Sequence, residues 1–418
     1  MLNVGFLSTR LSGTDGVSLE AAKWADLISR MGHSIAYCAG ELDANGPEGM
    51  IVEQMHFRHP EVRAIHDMAF RGAGSHELRT RIDRVASVLQ GAIRQFVRRF
   101  SIDLLVAENV LAIPMNIPLG VALRDEIGRS GCPTIAHHHD FAWERERFAT
   151  CVIPDILDAC FPPCAAPIKH VTISTLARQG LLARCGVDSV IVPNVLDFAQ
   201  EPPNRRSRSN DLRSELGVDQ SDIVLLQPTR VVPRKGIELA IELAGRLESL
   251  VRPRPVHLLI SHAAGDEGME YSTILRDMAD VASVQLTMAD DLVGPSGEPS
   301  GRRPPLFDLQ DAYACADLVT YPSLIEGFGN AFLEAIYYRR PILVNRYPVY
   351  ISDIEPCGFD VIAIDESIDD RTVEAVAKLL DSPNHVSQMT DHNYSVASKC
   401  FSYEVASARL QGLLEGFL

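Results

Sequence analysis

At 418 residues, with 39 Lys and Arg against 55 Asp and Glu for a formal net charge of -16, the chain exceeds what one hydrophobic core organises, so two domains of about 200 residues are expected. The acidic balance argues against nucleic-acid binding and against wide contact with anionic lipid. Nine cysteines without paired zinc-type spacing point to reduced thiols rather than a disulfide framework, and no run reaches membrane-spanning length, so a cytoplasmic protein with no integral membrane contact is expected.

Leu2 to Ser8 reads as an apolar strand and Ser12-Gly13-Thr14-Asp15-Gly16 as a loop. Val17 to Met31 reads as a helix whose Leu19, Ala22, Leu27 and Ile28 form an apolar face before Gly32 stops it. Ile35 to Cys38 is the next strand. The glycines here do not follow the Gly-x-Gly-x-x-Gly spacing, which disfavours a dinucleotide cofactor. Between His76 and Phe100, Ile82, Val85, Val88, Leu89, Ile93, Phe96 and Val97 recur at helical spacing with arginines mostly elsewhere. This predicts an amphipathic helix covering a sheet, with a membrane-surface helix as the alternative. The strand Ile102 to Ala107 follows at once.

Pro133 to Ala136 is a buried strand that runs into His137-His138-His139-Asp140-Phe141-Ala142-Trp143-Glu144-Arg145-Glu146-Arg147-Phe148. Three consecutive histidines suggest a metal, but neighbours on an extended chain point to opposite faces, so a strand cannot aim all three at one ion. No metal is expected. The carboxyl end of a parallel strand is instead where ligands bind, with a packed, hydrogen-bonded histidine as the plainer reading. His138, Trp143, Arg145 and Arg147 are candidates for acceptor binding, since guanidinium groups suit a carboxylate or phosphate. The plainer reading pairs the two arginines with Glu144 and Glu146 on an exposed helix. His170 to Ser174 and Ser189 to Val192 read as the last strands of the first half, and Glu201 to Asp211 as a linker.

Ile223 to Gln227 is a strand that empties into Pro228-Thr229-Arg230-Val231-Val232-Pro233-Arg234-Lys235-Gly236 before a helix from Ile237 to about Leu250. Arg230 and Lys235 there suit a ligand that is at least dianionic; a solvated basic loop is the alternative. Val256 to Ser261 and Val284 to Thr287 continue the alternation, and Gly294 to Pro305 is a long Pro/Gly/Arg loop, either a flap or a tolerated insertion. Leu318 to Tyr321 is a buried strand. A glycine loop (Glu326 to Asn330), a helix stopped by Pro341 and the strand Ile342 to Val344 follow it.

Gly327 and Gly329 let bare backbone N–H groups approach a ligand at a helix start. Glu326 stands at the loop mouth and Glu334, eight residues on, in the opening turns of the helix, where two carboxylates suit two hydroxyl-bearing parts of one ligand. An ordinary turn and an ordinary helix-start acid are the bland alternatives. Val361 to Ile364, a helix of Asp370 to Leu380 and a terminal helix of Tyr403 to Leu414 complete the chain.

Taken whole, Pro-Ser-Leu-Ile-Glu-Gly-Phe-Gly-Asn-Ala-Phe-Leu-Glu-Ala, residues 322–335, closely resembles the Glu-x7-Glu signature of retaining nucleotide-sugar glycosyltransferases of family 4. The resemblance reaches over most of the chain. It implies an α/β protein with the GT-B fold: two doubly wound, Rossmann-like domains facing a central cleft. The expected division is an acceptor domain at 1–200, a linker at 201–212, a nucleotide-sugar domain at 213–395, and a helix at 396–418 that packs back on the first domain.

By the same resemblance Glu326 faces the donor hexose, Glu334 holds the donor ribose, and Arg230 and Lys235 hold the diphosphate. Gly327, Phe328, Gly329, Asn330 and Ala331 complete the donor loop, and Gly13 and Gly16 lie on the glycine turn at the cleft. His139, with His138 as runner-up, faces the donor sugar, so His139, Arg230, Lys235 and Glu326 form the expected catalytic set. Val192-Pro193-Asn194-Val195-Leu196-Asp197 resembles the family's Pro-Asn-Gly-Val-Asp boundary segment, but Val195 stands where glycine is usual, which leaves no role to carry over to Asn194.

The implied activity is retaining hexosyl transfer from a nucleoside diphosphate sugar, of the GDP-mannose or UDP-glucose type, to a small polar acceptor, with no cofactor or metal required. The rivals are a GT-B sugar-nucleotide epimerase or hydrolase, a sugar phosphorylase and a non-catalytic sugar-nucleotide binding module. Within the family, the His137 to Phe148 run and Asn345-Arg346-Tyr347-Pro348-Val349-Tyr350 resemble mannosylglucosylglycerate synthase-like enzymes, which implies GDP-mannose and an anionic, glycosylated glycerate. No oligomeric state follows from the sequence.

Overall fold

The computed structural model describes residues 1–13, 15–72, 76–164, 167–203, 206–262, 269–294 and 306–417; Thr14 and all of the loop expected at 294–305 except Gly294 lie outside the described residues. The chain divides into two compact units, Met1–Asn194 with Glu404–Leu418, and Val195–Tyr403.

In the first unit, β1 (Asn3–Leu7), β2 (Ser34–Ala39), β3 (Gly49–Ile51), β4 (Leu104–Glu108), β5 (Thr134–His138), β6 (Ile168–Thr172) and β7 (Val190–Ile191) form one sheet in the order β3-β2-β1-β4-β5-β6-β7. The neighbouring strands pair in parallel. The sequence of β4, Leu-Leu-Val-Ala-Glu, is buried along its whole length, as a parallel strand covered on both faces must be. Part of that cover is the helix His76–Arg99, which buries Leu78, Ile82, Val85, Leu89, Ile93 and Phe96. On its outer side Arg79 pairs with Asp155, and Arg81 and Arg84 with Glu61. The apolar face therefore serves a core and not a membrane surface, and Val88, expected on that face, is exposed.

The terminal helix, Tyr403–Glu415, belongs to this unit from Glu404 onward. There Arg409 Nη1 donates to the Ile191 carbonyl at 2.5 Å, and the Lys169 ammonium lies 4.1 Å from the centre of the Phe417 ring.

In the second unit, β8 (Ile223–Gln227), β9 (Val256–Ile260), β10 (Gln285–Met288), β11 (Leu318–Tyr321), β12 (Ile342–Asn345) and β13 (Ile362–Ile364) lie in the order β10-β9-β8-β11-β12-β13. Numbered within its own unit, this is the 3-2-1-4-5-6 order of a doubly wound α/β sheet, and β3 to β6 of the first sheet follow the same order. In such a sheet the chain reverses direction of build-up between the first and fourth strands, and ligands bind beyond the carboxyl ends there. The two switch points are β1 with β4 and β8 with β11. No described helix is long and apolar enough to cross a membrane.

Several elements depart from the sequence expectations. β3 is three residues long, too short to show a period. The segment expected as a linker contains the first part of the helix Arg206–Glu215. That helix is tied into the second unit by Arg208 to Asp311 at 3.0 Å and by Arg213 to Asp317 at 2.8 Å. The helix after the glycine loop ends at Tyr337, short of Pro341, because Arg339 turns left-handed with a φ of 52° and ends the helical run.

Candidate active site

At the switch point of the second unit, the loops leaving β8 and β11 are joined. Gly236 has a φ of 59°, and a Cβ there would lie 2.4 Å from the Pro322 carbonyl oxygen, so only glycine lets the loops touch. Leu324 N–H donates to the Arg234 carbonyl at 2.9 Å across the same seam. This contact sets Lys235 against Glu326. Lys235 is 8% exposed, and its ammonium is bonded to Glu326 Oε1. Arg234 Nη1 lies 3.3 Å from the other carboxylate oxygen and donates to the Ile325 carbonyl at 3.0 Å.

Burial pushes the Glu326 pKa up, but Lys235 and Arg234 outweigh it and hold the carboxyl below its ordinary value. Burial pushes the Lys235 ammonium down, against the pull of Glu326. Two cations thus share one carboxylate, and the exposed Arg230 adds a third positive charge that acts on Lys235.

Beside them stands His262, just past the end of β9, its Nδ1 3.0 Å from Ser261 Oγ. Burial, with Lys235 and Arg230 adding to it, lowers its pKa to about 4, so it is neutral near pH 7. Sequence reasoning passed over both Arg234 and His262. A signal existed for the second: it is a polar residue at the carboxyl end of a parallel strand, where ligands are met.

The glycine loop starts the helix Asn330–Tyr337, which has no side-chain cap. Gly329 has a φ of 132°, and a Cβ there would come within 2.3 Å of the Tyr347 hydroxyl, which donates to the Phe328 carbonyl at 2.8 Å. Phe328 itself is buried, its ring edge-on to Phe401 at 5.4 Å, so its side chain braces the loop. Glu334 accepts a hydrogen bond of 2.8 Å from the buried Tyr313 hydroxyl, and the Ala331 carbonyl takes a longer one of 3.4 Å from the same oxygen. Burial and then Glu334 raise the Tyr313 pKa well above its ordinary value, so the phenol stays a donor that orients the carboxylate.

In the first unit, His137 and His139 fall on one face of the chain and His138 on the other, as strand alternation requires. β4 and β5 pair with Glu108 opposite His137. Glu108, fully buried, lies with its oxygens 3.0 and 3.2 Å from His137 Nδ1 and 3.3 Å from His139 Nε2. Trp24 stacks on His137 with ring centres 4.0 Å apart. Burial pushes Glu108 up, but the two histidines outweigh it and hold its carboxyl at about 2. Burial pushes both histidines down; it prevails at His137, while at His139 Glu108 outweighs it and raises the pKa. Each of the three residues offers a ligand atom within 4.8 Å of the others, near enough to share an ion; in the arrangement described both histidines are bonded to Glu108.

The remaining candidates are spread out. His138 Nε2 lies 2.9 Å from His170 Nδ1, and burial lowers the pKa of both rings. Trp143 stacks on Phe141 at 4.4 Å. Arg145 is bound by two nitrogens to Asp140, at 2.7 and 2.6 Å, and not to Glu144 or Glu146. Arg147 Nη2 lies 3.3 Å from the Met115 sulfur. Gly13 takes a φ of 75° and its N–H donates to Asp43 at 3.1 Å. Gly16 is the first residue of the helix Gly16–Arg30, which Asp15 caps. At the β1 and β4 switch point a cavity of 130 Å³ opens, lined among others by Ser8, Arg10, Asp15, Phe57, Glu108 and Met115.

Residues 209–396 match the family described as Glycosyl transferases group 1. The chain is 31% identical to a mannosylglucosylglycerate synthase of Thermotoga maritima, with 96% of each chain covered. It is 29% identical to a mannosylglucosylglycerate synthase of Petrotoga mobilis, over 87% of this chain and 86% of that one. Among solved structures, Anabaena HepE in complex with UDP and glucose aligns over 100% of both chains with a TM-score of 0.66 at 15% identity, a likeness of fold. With both sheets in doubly wound order, this chain belongs to the group 1 glycosyl transferases and is a glycosyltransferase of the GT-B fold.

Proposed function

We propose that the protein moves a hexosyl group from a nucleoside diphosphate sugar, with retention at the anomeric carbon, to a hydroxyl of a small acceptor that carries a carboxylate, a glycosylglycerate in kind. The observation that carries the donor half is the pair Arg234 and Lys235 on Glu326 at the β8 and β11 switch point, with Arg230 near enough for its charge to act on Lys235. In the transfer, the bond from the anomeric carbon to the diphosphate oxygen breaks and its electron pair leaves with the diphosphate. A new bond forms to the acceptor oxygen, whose proton passes to the departing phosphate.

Negative charge grows on the diphosphate as this happens, and preorganised cations in a partly dry site stabilise it far better than water does. Arg230 and Lys235 take that role. Glu326 faces the hexose, whose anomeric carbon gains positive character, and Glu334, oriented by Tyr313, grips the ribose. His139, held by Glu108, faces the donor sugar. The chemistry needs neither cofactor nor metal. The acceptor half is supported by the names of the Thermotoga and Petrotoga relatives.

A panel of GDP- and UDP-sugars screened for thermal stabilisation finds the donor, because a ligand specific to the native state raises its melting temperature. Turnover is then followed with a glyceric acid glycoside, and NMR of the product reads the anomeric configuration. Consumption of the donor at the same rate without any acceptor makes the protein an epimerase or hydrolase, and inversion at the anomeric carbon overturns the retaining assignment.

A further inference from the structure

We infer that the cavity at the carboxyl ends of β1 and β4 seats the anionic group of the acceptor, with Arg10 as the guanidinium that pairs it; this rests on the acceptor reading above. The place is the switch point of the first sheet, the position at which open α/β sheets bind their ligands. The size suits a small acid: 130 Å³ holds several groups the size of a water molecule, each about 30 Å³ in the liquid.

The charges around the cavity decide its sign. Among the described residues its lining holds two acids and one cation, Asp15, Glu108 and Arg10. Both acids are already compensated. Asp15 Oδ1 accepts from the Val17 and Ser18 N–H groups, and Oδ2 from the Ser18 hydroxyl, at the positive end of the helix it caps. Glu108 is enclosed by His137 and His139.

Arg10 gives Nη2 to Asp15 at 2.8 Å, and among the described residues no bond engages its Nε or Nη1. A guanidinium so placed keeps a free edge for two parallel bonds to a carboxylate or phosphate. It also lies 5.7 Å from the centre of the Phe57 ring, and the exposed Arg58 guanidinium lies 5.6 Å from the same ring. Arg147 touches Met115, another lining residue. Arg10 is thus the one cation among the described lining residues, with Arg58 and Arg147 each against a lining side chain, in a chain whose net charge is -16; a guanidinium at the cavity wall gives an anion a local partner. Arg145, by contrast, has its fork closed on Asp140.

The test uses the full-length protein with a glyceric acid glycoside and its neutral glycerol counterpart. Parent, Arg10→Ala and Arg10→Met are compared for acceptor KM, donor KM and kcat, the methionine keeping the packing of the stem. The parent prefers the acid, and both variants raise KM for the acid about 10- to 100-fold more than KM for the neutral acceptor, the loss of a charge-assisted pair. A preference that survives both substitutions, or a donor KM that rises as much as the acid's, overturns the assignment of Arg10. A parent without any preference for the acid instead defeats the acceptor reading on which it rests.

Discussion

Lys235→Ala removes the nearer partner of a carboxylate that is almost out of water, so it separates stability from catalysis. Lys235 and Glu326 side chains are 10% and 9% exposed. Stripping one member of a buried pair costs about 3–5 kcal/mol when nothing replaces it. Here Arg234 remains 3.3 Å from Glu326, so a smaller loss of about 1–3 kcal/mol is expected. Catalysis should suffer more: a preorganised charge that meets the developing negative charge contributes about 10²- to 10³-fold in kcat.

The assay is kcat and KM of hexosyl transfer beside a urea midpoint. The double variant Lys235→Met with Glu326→Gln supplies the control. It leaves no lone buried charge, so most of the stability returns, while turnover stays lost. Turnover of Lys235→Ala within about threefold of the parent, a change far smaller than a charge of this kind produces, refutes the leaving-group role, and so does recovery of turnover in the double variant.

Glu334→Ala should weaken binding of free nucleoside diphosphate whereas Glu326→Ala should spare it and depress transfer; calorimetry that finds equal nucleotide losses sinks that division of labour, and Tyr313→Phe, which removes the phenol that orients Glu334, should weaken binding in part. Because the carboxyl of Glu108 is held at about 2, below its ordinary value of about 4.3, its contribution to stability is present above the unfolded pKa and is lost as pH falls toward about 2. Glu108→Gln should flatten urea midpoints over that acid range, and an unaltered slope removes Glu108 from the account. The same substitution should move the titration of His139 to lower pH, since Glu108 is what raises it; NMR of the ring protons reads this directly. Dialysis against a chelator should leave transfer unchanged, and a loss reversed by adding back a divalent ion would put an ion on Glu108, His137 and His139.

Much of the architecture is local and therefore legible in the sequence. Apolar runs such as Ile223 to Gln227 and Leu318 to Tyr321 carry their own period and length, and the glycines and proline around them punctuate the alternation that becomes two parallel sheets. The eight-residue spacing of Glu326 and Glu334 is likewise readable along the chain, because a short loop and one helix fix both residues. The alternation of His137, His138 and His139 across the strand follows from the pleat alone.

What the sequence could not supply is which distant group each of these meets. Glu108 reaches His137 and His139 across 29 and 31 residues, and that meeting depends on the register of β4 against β5. Lys235 and Glu326 are 91 residues apart; they touch because β8 pairs with β11 and Gly236 lets the two loops close. Arg10 looks like any loop arginine until β1 and β4 lie side by side and open a cavity beside it. Arg145 turns to Asp140 because Ala142–Glu144 and Glu146–Phe148 are 3₁₀ turns and not the helix that would have lined it up with its neighbours. Local propensity and pattern act over a few residues, whereas sheet register and loop closure join residues that the chain holds far apart, and the chemistry of both sites lies in those joins.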